Sequence, residues 1–155
     1  MNKFFKAVLL TGLFVGTTDI IYAFTSVYVK SGKFAGKMFH YIAGGALGLD
    51  TSLKDVTGVD FLGLFFHYFI AFSYTLFFFL IFPKMKFLSF NKYLVGMLYA
   101  VFVNLTVEQL ILRLTPIPVR PFNLEVSYIN WVLFGVVFGI PIAWNAYKYY
   151  GVETN

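Results

Sequence analysis

The chain has 155 residues, of which 59% are hydrophobic, 22% aromatic and only 12% charged, roughly half the charged share that a soluble domain uses to cover its surface. The net charge of +5 comes from short segments between apolar runs, where lipid headgroups account for it, so a nucleic-acid partner is not expected and a lipid bilayer is. The absence of cysteine excludes disulfides, thiolate metal sites and cysteine nucleophiles.

In chain order, Lys3 and Lys6 make a short basic start. The apolar run that follows outlasts the core of a signal peptide and has no clean small-x-small cleavage site before Thr25, so it reads as a retained span over 7–29. A loop at Lys30-Ser31-Gly32-Lys33 leads to an apolar segment at about 36–48, centred on Met38 to Gly48. Eleven residues are too few to cross a bilayer, and a short re-entrant or interfacial helix is expected. Its Gly44, Gly45 and Gly48 suit close packing or a sharp exit. Leu49 to Val59 is polar loop. The second span covers 61–82 and ends at Pro83-Lys84. A basic hairpin with Lys84, Lys86 and Lys92 leads to the third span, 93–112, which stops at Arg113. Pro116, Pro118 and Pro121 force a stiff, extended connector. The fourth span is 126–147, where Pro141 is expected to kink the helix or free a carbonyl. Trp131, Trp144, Tyr147, Tyr149 and Tyr150 suit the two membrane interfaces.

The fold class is therefore an all-α integral membrane protein, with four transmembrane helices in an up-down bundle forming a single domain over 1–155. Four spans place both termini on one side. Lys3, Lys6, Lys84, Lys86, Lys92 and Lys148 lie on that side, and Lys30, Lys33, Lys37, Lys54, Arg113 and Arg120 on the other, a tie of six to six. The compact basic start and the lysine hairpin turn the choice toward cytoplasmic termini in a bacterial inner membrane, and the tie is compatible with dual topology.

Asp19 stands inside the first apolar run. A carboxylate in mid-span is disfavoured by about 2.5–3.5 kcal/mol or more and persists where it faces protein or water. Gly12, Gly16, Asp19 and Ala23 share one helical stripe, with Gly12 and Gly16 as a small-xxx-small pair. Similar stripes are Gly63, His67, Ala71 and Tyr74 in the second span, Gly96, Ala100, Asn104 and Glu108 in the third, and Trp131, Gly135, Gly139 and Ala143 in the fourth, with Asn130 one position off. At about 1.5 Å per residue, Asp19 lies ~18–20 Å from the terminal side, while His67 and Glu108 lie ~10 Å and ~7 Å from the opposite side. Within a core of roughly 30 Å, Asp19, His67, Glu108 and Asn130 fall in the half away from the termini, and the segment carrying His40 is placed to dip toward them.

The candidate ligand or proton site is thus Asp19, His67, Glu108, Asn104, Asn130 and His40. One reading is a site for a proton, a cation or a small polar ligand. The other is a polar network that holds the helices in register. Interhelical hydrogen bonds average only ~0.6 kcal/mol in membranes, so packing repays a buried carboxylate poorly and turns Asp19 first, then Glu108 and His67, toward function. Asn104 and Asn130 suit packing, and His40 an interfacial position. No His-x-x-x-His, Glu-x-x-His, Gly-x-Ser-x-Gly or phosphate loop occurs, so no metal, no cofactor and no enzymatic activity is expected.

His67-Tyr68-Phe69-Ile70-Ala71-Phe72-Ser73-Tyr74, Phe82-Pro83-Lys84-Met85-Lys86, Tyr93-Leu94-Val95-Gly96 and Leu114-Thr115-Pro116-Ile117-Pro118 occur in that order. They resemble the YagU-like family of uncharacterised bacterial inner-membrane proteins. Gly16-Thr17-Thr18-Asp19 with Ala23, and Tyr41-Ile42-Ala43-Gly44-Gly45 with Gly48, resemble an opening in small relatives of that group. The chain departs from the pattern at Asp50 to Val59, where relatives carry a Gly-rich stretch. The resemblance implies a four-span inner-membrane protein and no particular activity. The function expected is a proton- or cation-linked transporter or channel-like protein, working as a homo-oligomer (a dimer), because four short spans enclose little interior. The alternative is an accessory or partner-binding membrane protein whose buried polar residues serve packing.

Overall fold

A computed structural model describes residues 2–54, 57–118 and 124–152. Arg120 and Pro121 of the proline connector, and the last three residues of the tail, lie outside the described residues. Four helices are long and apolar enough to cross a membrane: Lys3–Ser31, Val59–Lys84, Lys92–Leu114 and Ser127–Tyr150. Each exceeds the roughly 30 Å of a hydrocarbon core at about 1.5 Å per residue. The chain is an all-α, multi-pass membrane protein.

The elements are α1 (Lys3–Ser31), α2 (Met38–Leu47), α3 (Leu49–Ser52), α4 (Val59–Ile81), α5 (Lys92–Leu105), α6 (Leu124–Phe134) and α7 (Ile140–Tyr150). Two tight turns, Phe82–Lys84 and Lys86–Ser89, join α4 to α5. The third span continues from α5 through a π-helical turn at Thr106–Ile111, and a second π turn at Gly135–Gly139 joins α6 to α7. Caps begin the helices where the sequence supplies them: Asn91 Oδ1 accepts from the backbone N–H groups of Tyr93 and Leu94, at 2.9 and 3.1 Å.

Side-chain size decides which face of each span turns inward. On α4, Phe61, Phe65 and Phe69 point outward, 79%, 60% and 58% exposed, while Gly63, Ala71 and Thr75 are buried. Lipid is as apolar as a phenylalanine ring, so close packing rather than hydrophobicity sorts the faces. The small-residue stripes are where helices meet. Gly12 lies against Phe72, and Gly16 against Tyr68 and Ala71, which runs α1 antiparallel to α4. Gly96 meets Gly139 and Ile140 backbone to backbone, and a Cβ at either glycine would collide with the other chain segment. A Cβ at Gly63 would run into the Phe39 carbonyl, so α2 lies directly on α4.

The first span packs on the second and the fourth, and the third packs on the fourth. Rings close the seam between second and third, with Phe78 and Tyr99 centroids 4.6 Å apart. Pro141 has no N–H for the carbonyl four residues earlier, that of Val137. The Thr18 hydroxyl lies 2.9 Å from that oxygen, and 3.1 Å from Phe14 O and Val15 O of its own helix. The expected freed carbonyl is therefore met from α1. Two of the residues expected at the interfaces also bond across the bundle. Tyr147 is buried and donates to Leu88 O at 2.7 Å, and Trp131 Nε1 donates to Asn104 Oδ1 at 2.7 Å. Each ring thus finds an acceptor for its polar hydrogen within the protein.

Candidate functional site

Along α1 the stripe begun by Gly12 and Gly16 continues through Asp19, Ala23, Ser26 and Lys30, at spacings of three, four, three and four. Up to Gly16 it touches α4. From Asp19 onward it borders a cavity of about 660 Å³. The second span adds Phe66, His67 and Ile70; the third adds Asn104, Val107, Glu108 and Ile111; the fourth adds Asn130, Phe134 and Phe138. Tyr41, Ile42, Gly45 and Ala46 of α2, with Thr115 and Ile117 of the connector, close the wall at the end away from the termini.

Both π turns touch this space. Glu108 lies within the first, and Phe138 within the second. A π turn takes an extra residue into the hydrogen-bonded ring and redirects the side chains around it. The stripes of the third and fourth spans run in uninterrupted fours, Gly96-Ala100-Asn104-Glu108 and Trp131-Gly135-Gly139-Ala143. In a plain α-helix each step of four drifts by about 40°. The first and second spans correct that drift with a step of three; the other two spans are the ones that carry π turns.

Five of the six sequence candidates, Asp19, His67, Asn104, Glu108 and Asn130, come together on this cavity. Four of them are tied down. His67 Nε2 donates to Gly16 O at 2.9 Å; a carbonyl only accepts, so this nitrogen carries the proton. Asn104 accepts from Trp131 and donates from Nδ2 to Glu108 Oε1 at 3.3 Å. Asn130 Oδ1 accepts from the Tyr22 hydroxyl at 3.3 Å.

Asp19 differs. It is half-buried and within electrostatic reach of His67, yet among the described residues nothing donates a hydrogen bond to its carboxylate. Every fully buried side-chain polar atom among the described residues has a partner. The Asp19 oxygens, lacking one, must border open space, and the space they border is the cavity.

His40, the sixth candidate, lies apart from the cavity. Helix α2 turns Tyr41 and Ile42 to the cavity and His40 to the joint with α3 and α4, where it is buried. Nδ1 lies 2.6 Å from Ser52 O and Nε2 lies 3.2 Å from Asp60 Oδ1. Those partners come from the polar loop and the start of α4, which reading the short segment alone leaves out. Tyr22, Ser26, Lys30 and Tyr41 join the wall beyond the sequence candidates. Extending the Asp19 stripe by two further turns finds Ser26 and Lys30; Tyr22 and Tyr41 carry no such signal. Among the described residues, no three His, Asp or Glu side chains gather closely enough to hold a metal ion.

Fold and site together define a multi-pass membrane protein whose four-span bundle holds a largely apolar cavity with a few polar side chains in its wall. No protein-family model, no curated protein and no solved structure matches the chain.

Proposed function

We propose that the chain is a proton-linked transporter of a cationic ligand, acting in a bacterial inner membrane with cytoplasmic termini, and that it is a YagU-like protein as the sequence resemblance implies. The observation that carries this reading is the unpaired Asp19 carboxylate on the cavity wall. An anion inside an apolar span is neutralised either by a proton or by a bound cation. A single carboxylate that accepts each in turn makes the two compete, and that competition couples their movement. His67 lies within reach of the charge, and its committed Nε2–H leaves Nδ1 as the nitrogen open to a proton. The reading is non-enzymatic, since no bond of the ligand is made or broken. A homodimer completes the working unit, because alternating access in so small a bundle calls for a second copy.

Proteoliposomes with an acidic interior and a trapped pH indicator test the transport reading. Pools of inorganic cations and of organic amines and quaternary cations are added outside. At least one pool is expected to discharge the gradient faster than in empty liposomes, and Asp19→Asn is expected to abolish that excess. No pool acting above the empty-liposome rate overturns transport; an unchanged rate in Asp19→Asn overturns the role of Asp19.

The hydrogen bonds joining Asn104 to Trp131 and Glu108 favour a second reading for those residues, a clasp between the third and fourth spans. That reading alone would make the chain an accessory or partner-binding protein.

A further inference from the structure

We infer that the ligand of this cavity is a hydrophobic organic cation, with its charge at Asp19 and its apolar body against Phe66, Phe134 and Phe138. The inference rests on reading this cavity as the ligand site, and it narrows the class of cation.

Size is the first ground. About 660 Å³ lies within the roughly 300–1,000 Å³ of pockets that take drug-sized ligands. The wall is the second. Three phenylalanine rings line the same space as the carboxylate, so the charge that attracts a cation and the surface that buries an apolar body are together. Donor chemistry is the third. Hard metal ions take about six or more oxygen ligands, or nitrogen and oxygen ligands in a tight set, and no such cluster exists among the described residues. Among the described residues, an anionic ligand finds no cation beside Asp19. The His67 Nε2–H is committed to Gly16 O, and Lys30, which borders the cavity farther along α1, lies eleven residues from Asp19. That is about 16 Å of helix, and Lys30 is exposed. A neutral ligand would leave the carboxylate unanswered.

The test uses the full chain purified in detergent and tetraphenylphosphonium, whose charge is permanent, followed by isothermal titration calorimetry. Triphenylphosphine oxide serves as a neutral probe with similar rings, and sodium and magnesium chloride as inorganic competitors. Saturable binding of the cation is expected, with the neutral probe weaker by at least about tenfold, the size of one charge-assisted interaction. Asp19→Asn is expected to weaken cation binding by a similar factor, and Ala23→Phe, which fills the cavity beside Asp19 without touching the charge, is expected to abolish it. Should Asp19→Asn fail to fold, Ala23→Phe and the neutral probe decide. Absence of saturable binding, equal affinity for the neutral probe, binding unchanged in either variant, or displacement by the inorganic ions at constant ionic strength overturns the inference. Binding without gradient discharge overturns the transport reading and leaves the ligand class standing. Gradient discharge by the inorganic pool, with no tetraphenylphosphonium binding, does the reverse.

Discussion

At the end of the bundle that carries the termini, aromatic rings fill the space between the second and fourth spans. Phe82 stacks on Tyr150 with centroids 5.2 Å apart and meets Tyr147 at 5.1 Å. The hydroxyls of Tyr147 and Tyr150 donate to Leu88 O and Phe79 O, each at 2.7 Å, so the seal is apolar in its rings and satisfied in its polar atoms. At the other end the same four spans surround a cavity with Asp19, His67 and Glu108 in its wall. What differs is that stacked rings fill the one, whereas two π turns and the inserted α2 shape the wall of the other.

The backbone contact of Gly96 with Gly139 is the easiest feature to break. Gly139→Val would place side-chain atoms against Gly96 O and the Ala100 Cβ, with backbone rather than a flexible tip in the way. A loss of about 3 kcal/mol is expected, at the upper end for overpacking a close contact. Thermal unfolding in detergent micelles measures it. Gly45→Ala is the matching change at the open end, where the nearest atom to a new Cβ is Thr115 Cγ2 at 3.7 Å. That variant is expected to unfold within about 0.5 kcal/mol of the parent, or slightly above it, since alanine favours helix over glycine. Equal losses at the two positions would abolish the contrast between a close backbone contact and a cavity wall.

Within the open end, Asn104 is a clasp. Asn104→Leu removes the acceptor for the Trp131 Nε1–H and the donor to Glu108 Oε1 together. An expected loss of about 1–2 kcal/mol follows from leaving those groups unanswered. A double-mutant cycle with Trp131→Phe should give less than the sum of the two single losses, because the bond between the two side chains is then counted once.

His40 fastens α2 and α3 to the start of α4 through Ser52 O and the largely exposed Asp60. His40→Phe keeps a ring of similar bulk and removes both contacts. The expected global loss is about 1 kcal/mol, with a larger local effect. Because the chain has no cysteine of its own, Ala46→Cys on the cavity wall is a clean reporter. Maleimide labelling at that position should quicken in the His40→Phe background; an unchanged rate would mean that the His40 contacts do not hold the wall.

Much of this arrangement is legible from residue spacing. The stripe of Gly12, Gly16 and Asp19 follows from 3.6 residues per turn, and counting 1.5 Å per residue gathers Asp19, His67 and Glu108 toward one end without any structure. Which of them bond to one another is not legible. Helical periodicity fixes the direction of a Cβ but not the torsions beyond it, so nothing in the chain says that His67 spends its Nε2 proton on Gly16 O. The π turns have no residue signature of their own, although the uninterrupted fours in the third and fourth spans mark where α-helical drift needs correcting. His40 was placed by the segment it sits in, whereas its position is decided by Ser52 and Asp60, which come from outside that segment.

The smallest expected change in stability is the one that separates a site from a clasp. Asp19→Asn keeps the shape of the side chain and removes its charge. If Asp19 held helices together, the amide would lose an ionic partner and the protein would unfold earlier, as expected for Asn104→Leu. No described residue donates to the carboxylate, so there is no hydrogen bond to lose. The attraction to His67 is opposed by the desolvation of an unpaired anion, which the amide relieves. Thermal unfolding is therefore expected to stay within about 0.5 kcal/mol of the parent, or to rise, while cation binding falls. A clear loss of stability with binding intact would move Asp19 to the side of Asn104 and return the whole polar wall to packing.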